Sequence, residues 1–277
     1  MTETVGFIGA GQLGQPMVAR LLAAGHRVLV YTRRSDISDQ LHRLGAHLAD
    51  SAGEVASQSD LFISCLFSDA QLRDAGLGPN GFAAVQKPDS IFVSHTTGSR
   101  STLAEVARVS RAHTVDAPVS GTADDIMRGK LTVLLGGPEE AVERVTQVIS
   151  AYADPIIATG SAGTALDIKL INNLLFAANA QLVAAAAALG TELGVDSTRL
   201  LAALAVCSGG SKASSHIGRM GGLEAFEAGA GPFLRKDVAA CVAAAEEGRI
   251  DLGTLRSVVE GGLLALSDTG TQPAVRT

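Results

Sequence analysis

The sequence has no tryptophan, and aromatic residues make up only 4% of its 277 positions. A hydrophobic core must therefore be built from Ala, Val, Leu and Ile, and apolar residues do reach 47% of the chain. Charged residues account for 18%, so the composition is typical of a globular protein with a sizeable core. The length predicts one large domain or two ordinary ones.

Basic charge is also scarce, because 22 Lys and Arg face 28 Asp and Glu and give a net charge of −6. No basic stripe is present, so nucleic acid is not an expected partner. The three cysteines, Cys65, Cys207 and Cys241, are far apart and odd in number. Neither they nor the six histidines have a metal-ligand spacing. We expect reduced thiols, structural histidines, a cytoplasmic location and no metal.

Long hydrophobic runs are absent as well. The N-terminal stretch MTETVGFIGAG lacks the charged-then-apolar layout of a signal peptide. The most apolar run, 174–190, is short for a bilayer, rich in alanine and interrupted by Asn179 and Gln181. A buried helix accounts for this run better than a membrane span, and we expect no membrane association.

Short apolar runs alternate with helical stretches through the first half of the chain. The runs that predict strands are 4–8, 27–31, 60–66, 90–95, 113–117, 131–135 and 155–158. Helical stretches fall between most of these runs, such as 12–24, 38–44, 101–111 and 138–152. This alternation predicts a mostly parallel sheet covered by helices on both faces. The run 131–135 follows 113–117 closely enough to pair with it in the antiparallel sense.

The pattern changes near residue 160, after which helical periodicity continues without a convincing strand. The helical stretches there are 163–193, 197–206, 234–247 and 252–266. We therefore predict two domains, an α/β domain over 1–160 and an all-α domain over 161–277. The last ten residues, DTGTQPAVRT, are predicted to form a frayed tail.

A glycine loop directly follows the first predicted strand and opens a helix. Gly9 permits a tight turn, Gly11 lets the backbone approach a pyrophosphate, and Gly14 lets the helix pack closely on the strand. The helix N-terminus adds N–H groups and partial positive charge for the phosphates. This context predicts a Rossmann-type dinucleotide-binding domain. Its cofactor loop comprises Gly9, Ala10, Gly11, Gln12, Leu13 and Gly14.

In such domains the residue at the end of the second strand binds the adenosine ribose. An acidic residue there favours NAD, whereas here Thr32 is followed by Arg33 and Arg34. A guanidinium group can hold a 2′-phosphate through two parallel hydrogen bonds. We therefore predict that the cofactor is NADP(H) in preference to NAD(H), bound by these three residues. Asp36 offers a rival interpretation, in which its carboxylate takes the ribose.

Five motifs in a fixed order carry a resemblance to a known family. They are GFIGAGQLGQPM at 6–17, DAPVSGT at 116–122, LTVLLGG at 131–137, GSAGTALDIKLINN at 160–173 and LRKD at 234–237. Over about residues 4–250 the chain resembles the β-hydroxyacid dehydrogenase family. That family includes 3-hydroxyisobutyrate dehydrogenase and tartronate semialdehyde reductase and is related to 6-phosphogluconate dehydrogenase.

The resemblance gives Lys169 a catalytic role. A cation within an otherwise apolar helix is costly unless it is paired, solvated or used in function. Lys169 matches the family's general acid/base, which takes the substrate hydroxyl proton in oxidation and returns it in reduction. Asn173 lies one turn on and matches the family's substrate-binding asparagine. Asn172 is the weaker alternative, because it lies about 100° round the helix.

The remaining site residues follow from the same resemblance. Ser120 and the backbone N–H groups of Gly121 and Thr122 would hold the substrate carboxylate, although the family usually has a second glycine where Thr122 stands. On the nicotinamide side, the family's contacts match Leu66, Phe67, Thr96 (or the neighbouring Thr97) and Lys236.

The resemblance implies an enzyme that transfers a hydride between NADP(H) and a small 3-hydroxy acid or its semialdehyde or keto partner. The partner molecule is then a small carboxylate-bearing substrate, and domains of this type usually pair, which predicts a homodimer. Two alternatives remain, an NADPH-dependent imine reductase and a non-catalytic NADP-binding interaction module. Relatives of both kinds usually lack the lysine, so Lys169 argues against each.

Overall fold

The computed structural model of the chain describes residues 3–267. The chain divides into two compact units, residues 1–169 and 170–277. The division falls within the helix Thr164–Glu192, whereas the sequence places a domain boundary near 160. The predicted tail at 268–277 lies outside the described residues.

The first unit is built on a nine-stranded sheet. Its strands are β1 (Thr4–Ile8), β2 (Arg27–Tyr31), β3 (His47–Leu48), β4 (Leu61–Ser64), β5 (Ile91–Ser94), β6 (His113–Asp116), β7 (Val119–Ser120), β8 (Leu131–Gly136) and β9 (Ala153–Gly160). The spatial order is β3-β2-β1-β4-β5-β6-β8-β7, and β9 pairs with β8. The first six strands in this order are parallel, as the sequence predicts.

The far end of the sheet is mixed. β8 pairs antiparallel with β6, through Asp116 and Gly136, and antiparallel with β7. It pairs parallel with β9. The antiparallel pairing of 131–135 with 113–117 is thus confirmed. The strands β3 and β7 were not predicted from the sequence, because each is only two residues long and neither is fully buried.

Helices cover both faces of the sheet. They are α1 (Gly14–Ala23), α2 (Ser35–Arg43), α3 (Ala52–Gln58), α4 (Asp69–Leu77), α5 (Arg100–Val109), α6 (Ala123–Met127) and α7 (Glu139–Ile149), with a 3-10 turn at Ala83–Val85. The prediction missed α3, α4 and α6, which are short and polar. Each begins at a hydroxyl residue whose side chain accepts a backbone N–H of the first turn, namely Ser51, Ser68 and Thr122.

Alternate side chains of the buried strands supply separate cores on the two faces. Leu61 and Ile63 of β4 join one cluster of buried residues, which includes Val5 and Phe7 of β1. Phe62 points into the other cluster and stacks with Phe92 at a centroid distance of 5.9 Å. Because both faces are buried, the strands read as continuous apolar runs, and this is why the sequence predicts them well.

The second unit is helical throughout its described part. It contains most of α8 (Thr164–Glu192), followed by α9 (Ser197–Leu204), α10 (Lys212–Met220), α11 (Leu223–Gly248) and α12 (Gly253–Gly261). The prediction missed α10 and began α11 too late, at 234, because the preceding stretch contains several glycines and Pro232. The stabilisation from burying Phe226 in the core of this unit outweighs the low helix propensity of those residues.

The helix α8 has the length and composition of a membrane span, but 50% of its most apolar window is buried inside the structure. Core helices meet the same criteria, so this feature is weak evidence for a membrane. Gln181, which interrupts the apolar run, is buried, and both ends of its side-chain amide are hydrogen-bonded. It donates to the carbonyl groups of Val259 and Leu264 at 3.0 and 2.7 Å, and accepts from the Leu264 N–H at 2.8 Å.

Candidate functional site

A cavity of about 610 Å³ opens at the carboxyl ends of β1, β2 and β4. In open α/β sheets, ligands bind at this edge where the strand order reverses, which here is between β1 and β4. The structure brings eight of the predicted cofactor residues to its lining: Gly9, Ala10, Gly11, Thr32, Arg33, Arg34, Leu66 and Phe67. These predicted residues thus lie together around one cavity, and their roles in binding stay predictions.

The three glycines of the loop face different constraints. Gly9 has φ +86°, and a Cβ there would lie 2.2 Å from the Cys65 carbonyl oxygen. A Cβ on Gly14 would lie 2.1 Å from the Gly9 carbonyl oxygen, so α1 packs directly on the turn. A Cβ on Gly11 would meet nothing within 4 Å. Gly9 and Gly14 are thus required by the fold, whereas Gly11 leaves space for a ligand.

The helix α1 begins at this loop without a side-chain cap. Leu13 is its N-cap residue and makes no capping hydrogen bond, while Gln12 precedes it in the loop. The first N–H groups of a helix need an acceptor from outside the helix. An uncapped helix start beside an open glycine fits the pyrophosphate of a dinucleotide.

The two arginines after β2 differ in their contacts. Arg34 forms an ion pair with Asp36 at 2.6 Å, and this hydrogen bond lowers the pKa of the Asp36 carboxyl. Arg33 makes no hydrogen bond or ion pair within residues 3–267. Asp36 is absent from the cavity lining. The rival interpretation, with Asp36 on the ribose, therefore has less geometric support than Arg33 has for a phosphate.

The opposite end of the cavity follows β4. Phe67 is 56% exposed, and its N–H donates to Gln71 Oε1 at 3.1 Å. Burial raises the pKa of the neighbouring Cys65 thiol to about 12, so this thiol stays protonated. Thr96 is buried just beyond β5, and its Oγ1 has no hydrogen-bond partner in the described part of the chain. Such an orphaned hydroxyl is unusual unless a ligand or water completes it.

The predicted carboxylate loop comprises β7 and the two residues after it. Ser120 is exposed, and Gly121 has φ +147°. Thr122 is the N-cap residue of α6, and both its N–H and its hydroxyl donate to Asp125 Oδ2 at 2.8 Å. The Thr122 N–H is therefore already used, and Ser120 and Gly121 are the better placed of the three predicted substrate contacts.

Lys169 lies on the second turn of α8 and is half-buried. The start of this helix is fixed by Asp116, the last residue of β6. Its two carboxylate oxygens accept the N–H groups of Gly163 at 2.6 Å and Leu166 at 2.9 Å. Burial raises the pKa of Asp116, while these hydrogen bonds oppose the rise. Asp116 is the first residue of the motif DAPVSGT, and no role was predicted for it from the sequence.

Two predicted residues of the second unit, Asn173 and Lys236, both contact Asp237. Asn173 is buried, and its Nδ2 donates to Asp237 Oδ2 at 2.9 Å. Lys236 Nζ lies 3.9 Å from Asp237 Oδ1. The neighbouring Asn172 donates to Asn173 Oδ1 at 3.2 Å. Asp237 thus orients the Asn173 amide, and the signal for it was its place beside Lys236 in LRKD.

The glycine loop, the cavity at the strand-order reversal and the helical second unit define a dinucleotide-binding α/β protein with an all-α second unit. Residues 4–160 match the family described as the NAD binding domain of 6-phosphogluconate dehydrogenase. Residues 162–271 match the family described as NAD-binding of NADP-dependent 3-hydroxyisobutyrate dehydrogenase. The chain belongs to the β-hydroxyacid dehydrogenase family, and its cofactor is a nicotinamide dinucleotide.

Individual relatives agree with this assignment. A probable mitochondrial 3-hydroxyisobutyrate dehydrogenase of Dictyostelium discoideum is 30% identical over 202 residues, covering 72% of this chain but only 63% of that relative. A Mycobacterium tuberculosis 3-hydroxyisobutyrate dehydrogenase, solved with L-serine, has a TM-score of 0.83 at 24% identity, covering 94% of this chain and 92% of that one. An imine reductase from a Pseudomonas species has a TM-score of 0.57 at 18% identity, with coverages of 94% and 92%. At these identities the two solved structures concern the fold alone.

Proposed function

We propose that the chain is an NADP(H)-dependent oxidoreductase that transfers a hydride between its cofactor and a small 3-hydroxy acid or the matching semialdehyde or keto compound. The observation that carries the proposal is the placement of Lys169. It lies on a helix whose start is tied by Asp116 to the strand that leads into Ser120. Asp116 therefore connects the helix that carries the proposed general acid/base with the strand that leads into the proposed carboxylate loop.

The residues of the first unit fit a dinucleotide. The open space at Gly11 and the uncapped start of α1 suit the pyrophosphate. Arg33, which has no partner within the described residues, suits the 2′-phosphate of NADP. Leu66, Phe67 and the orphaned Thr96 hydroxyl suit the nicotinamide end, and the family resemblance adds Lys236. When bound, the nicotinamide accepts or releases the hydride.

The protein supplies the proton and holds the substrate. In the oxidation direction, the Lys169 amine takes the hydroxyl proton as the carbon loses its hydride. In reduction, the Lys169 ammonium returns it. The Ser120 hydroxyl and the Gly121 N–H would donate to the substrate carboxylate. Asn173, with its amide orientation fixed by Asp237, would hydrogen-bond the substrate hydroxyl or carbonyl.

A homodimer formed through α8 is part of the proposal. Apolar side chains on one side of this helix are about half exposed, and they recur at helical spacing: Ile171, Leu175, Leu182 and Leu189. Such a stripe is typical of a face that pairs with another helix. Light scattering should give twice the chain mass, and Leu182→Glu should shift the protein toward monomer. A monomeric wild-type protein would contradict this assignment.

Two other functions remain testable. An imine reductase is favoured only by the shared fold. Asp167 is the acidic residue that could take the place of the lysine in such an enzyme, but it forms an ion pair with Arg100 at 3.1 Å. A non-catalytic NADP-binding module would bind the cofactor without turnover. Reduction of a cyclic imine would support the first alternative, and NADPH binding without turnover of any compound would support the second.

The test is NADPH consumption by the purified protein with succinic semialdehyde, methylmalonate semialdehyde, tartronate semialdehyde, glyoxylate and a cyclic imine. We expect turnover of at least one aldehyde or keto acid. Lys169→Ala should lower kcat by about 10²–10⁴-fold. Lys130→Ala, which removes an exposed lysine paired with Asp154, is the matched control and should leave kcat unchanged. Turnover that is independent of Lys169 would refute the proposal.

A further inference from the structure

Asp116 is fully buried, although it carries a carboxylate. Burial of a carboxylate is costly unless the charge is paired or hydrogen-bonded. Asp116 is compensated by backbone N–H groups, Gly163 on one oxygen at 2.6 Å and Leu166 on the other at 2.9 Å. These groups lie at the start of α8, where unsatisfied donors and partial positive charge favour an anion. The carboxylate is therefore a helix cap supplied from a distant strand.

This cap sets the position of Lys169. Leu166 and Lys169 lie one turn apart on the same side of α8, with a rise of about 4.5 Å between them. Both residues belong to one continuous α-helix, so the position of the Leu166 N–H constrains the position of Lys169.

The same carboxylate is tied to the substrate loop. Asp116 ends β6, and the chain runs from it through Pro118 into the β7 strand that contains Ser120. Gly136 of β8 makes room for the carboxylate, because a Cβ at this position would lie 2.6 Å from Asp116 Oδ1. The backbone of β8 therefore packs closely against Asp116.

A second contact holds the helix start from the exposed side. Arg100, the first residue of α5, donates to the Ala162 carbonyl oxygen at 3.3 Å and pairs with Asp167 at 3.1 Å. A Cβ on Gly163 would lie 2.2 Å from Arg100 Nε, so the guanidinium packs against the backbone there. Asp116 and Arg100 thus hold residues 162–167 in place from two sides, through hydrogen bonds and an ion pair.

We propose that Asp116 is a positioning residue for the reaction. It holds the start of α8 so that Lys169 keeps its position relative to the Ser120 loop, and Arg100 holds the same segment from the exposed side. The inference rests on the proposed role of Lys169. It assigns to Asp116 no contact with substrate or cofactor. Misplacement of a catalytic group by about 1 Å can lower a rate by about 10²-fold.

The experiment is a double-mutant cycle on kcat. Asp116→Asn removes the charge and one acceptor, and its effect is measured in the wild type and in Lys169→Ala, with residual product quantified by mass spectrometry. We expect about a 10- to 100-fold loss of kcat in the wild type and less than about a threefold further loss in Lys169→Ala. The Kd for NADPH should change by less than about twofold, because the cavity residues lie on other strands.

Thr114→Val is the matched control. Thr114 lies on the same strand, is buried, and has a hydroxyl without a hydrogen-bond partner among residues 3–267. Valine has a similar shape, so kcat should be unchanged. If Asp116→Asn folds poorly, Arg100→Gln at the exposed side replaces it, with an expected loss of kcat of about 3- to 10-fold and the same dependence on Lys169.

Three results would overturn the inference. They are wild-type kcat in Asp116→Asn or its replacement, an equal loss in both backgrounds, and a parallel loss of NADPH binding. An equal loss would mean a general structural role. Failure of the proposed function is distinguishable, because Lys169→Ala alone would then retain wild-type turnover.

Discussion

Asn173 donates from Nδ2 to Asp237 Oδ2 at 2.9 Å, and this hydrogen bond joins two motifs that are 64 residues apart in the chain. It fixes which end of the amide is the donor at Asp237 and which is the acceptor. An amide that could flip would offer a substrate either polarity. The bond therefore gives Asp237 a part in orienting a proposed substrate contact.

Replacement of Asp237 should affect both stability and substrate binding. In Asp237→Ala the buried Asn173 amide loses its acceptor, and we expect a loss of about 1–3 kcal/mol in the free energy of unfolding. The KM for the acid substrate should rise, while the Kd for NADPH stays close to wild type. Urea denaturation and steady-state kinetics measure both effects. Glu224→Ala, an exposed acid on the same helix α11, should change neither.

Substitutions in the glycine loop should separate effects on folding stability from effects on cofactor binding. Gly11→Ala should leave the free energy of unfolding within about 0.5 kcal/mol of wild type, because the new Cβ meets nothing within 4 Å. It should weaken NADPH binding about tenfold or more, because the methyl group occupies the approach of the pyrophosphate. Gly14→Ala is the contrasting variant, with its Cβ 2.1 Å from the Gly9 carbonyl oxygen, and should lose about 1–3 kcal/mol of stability as well. Equal stability losses in both variants would contradict this account.

Cofactor preference should depend on Arg33. Loss of a charged hydrogen bond costs about 1.5–3 kcal/mol, so Arg33→Ala should raise the KM for NADPH about 10- to 100-fold. The KM for NADH should be unchanged, since NADH lacks the 2′-phosphate. Arg43→Ala, at the far end of α2, is the control. If Arg33→Ala has no effect and Asp36→Ala raises the KM for NADH, the ribose interpretation of Asp36 is correct.

The buried His95 predicts a pH dependence of stability. Its Nδ1–H donates to the Ala117 carbonyl at 2.6 Å, its Nε2 accepts from the Tyr152 hydroxyl at 2.8 Å, and burial lowers its pKa from 6.5 to about 4. Above pH 6.5 the ring is neutral in both the folded and unfolded states. Between pH 6.5 and 4 the unfolded chain binds a proton that the folded chain does not, so up to about 3 kcal/mol of stability is lost as the pH falls.

Denaturation curves at pH 7.5, 6, 5 and 4 test this dependence. His95→Gln should flatten the change over this window, while His47→Gln, which removes an exposed histidine, should retain the wild-type slope. A wild-type slope in His95→Gln would mean that folding does not lower the pKa of His95.

The strands and the long helix were predictable because burial on both faces makes them near-continuous apolar runs. The short helices α3, α4, α6 and α10 were missed, since their stability comes from tertiary packing and from caps rather than from periodicity. Those caps were visible as hydroxyl residues. Ser211, for example, accepts the Ser214 N–H at 3.1 Å at the start of α10. Such hydroxyl caps are therefore the sequence signal for short helices that lack a long apolar face.

The cavity residues were predictable because the glycine spacing and its strand–helix context carry a mechanism. The sequence did not predict which of the two arginines pairs with Asp36, and the structure shows that Arg34 does. The use of the Thr122 N–H by Asp125 required the structure in the same way. Contacts between neighbours in a loop depend on side-chain rotamers, which a sequence pattern does not specify.

The central claim is lysine-dependent hydride transfer, and deuterium tracing tests it most directly. The protein is incubated with NADPH deuterated at the transferable C4 position and an aldehyde acid that supports turnover, and the hydroxy acid product is analysed by mass spectrometry. We predict one deuterium per product molecule, with product formation slowed about 10²–10⁴-fold in Lys169→Ala and unchanged in Lys130→Ala. Product without deuterium, or deuterated product formed at the wild-type rate by Lys169→Ala, would contradict the claim.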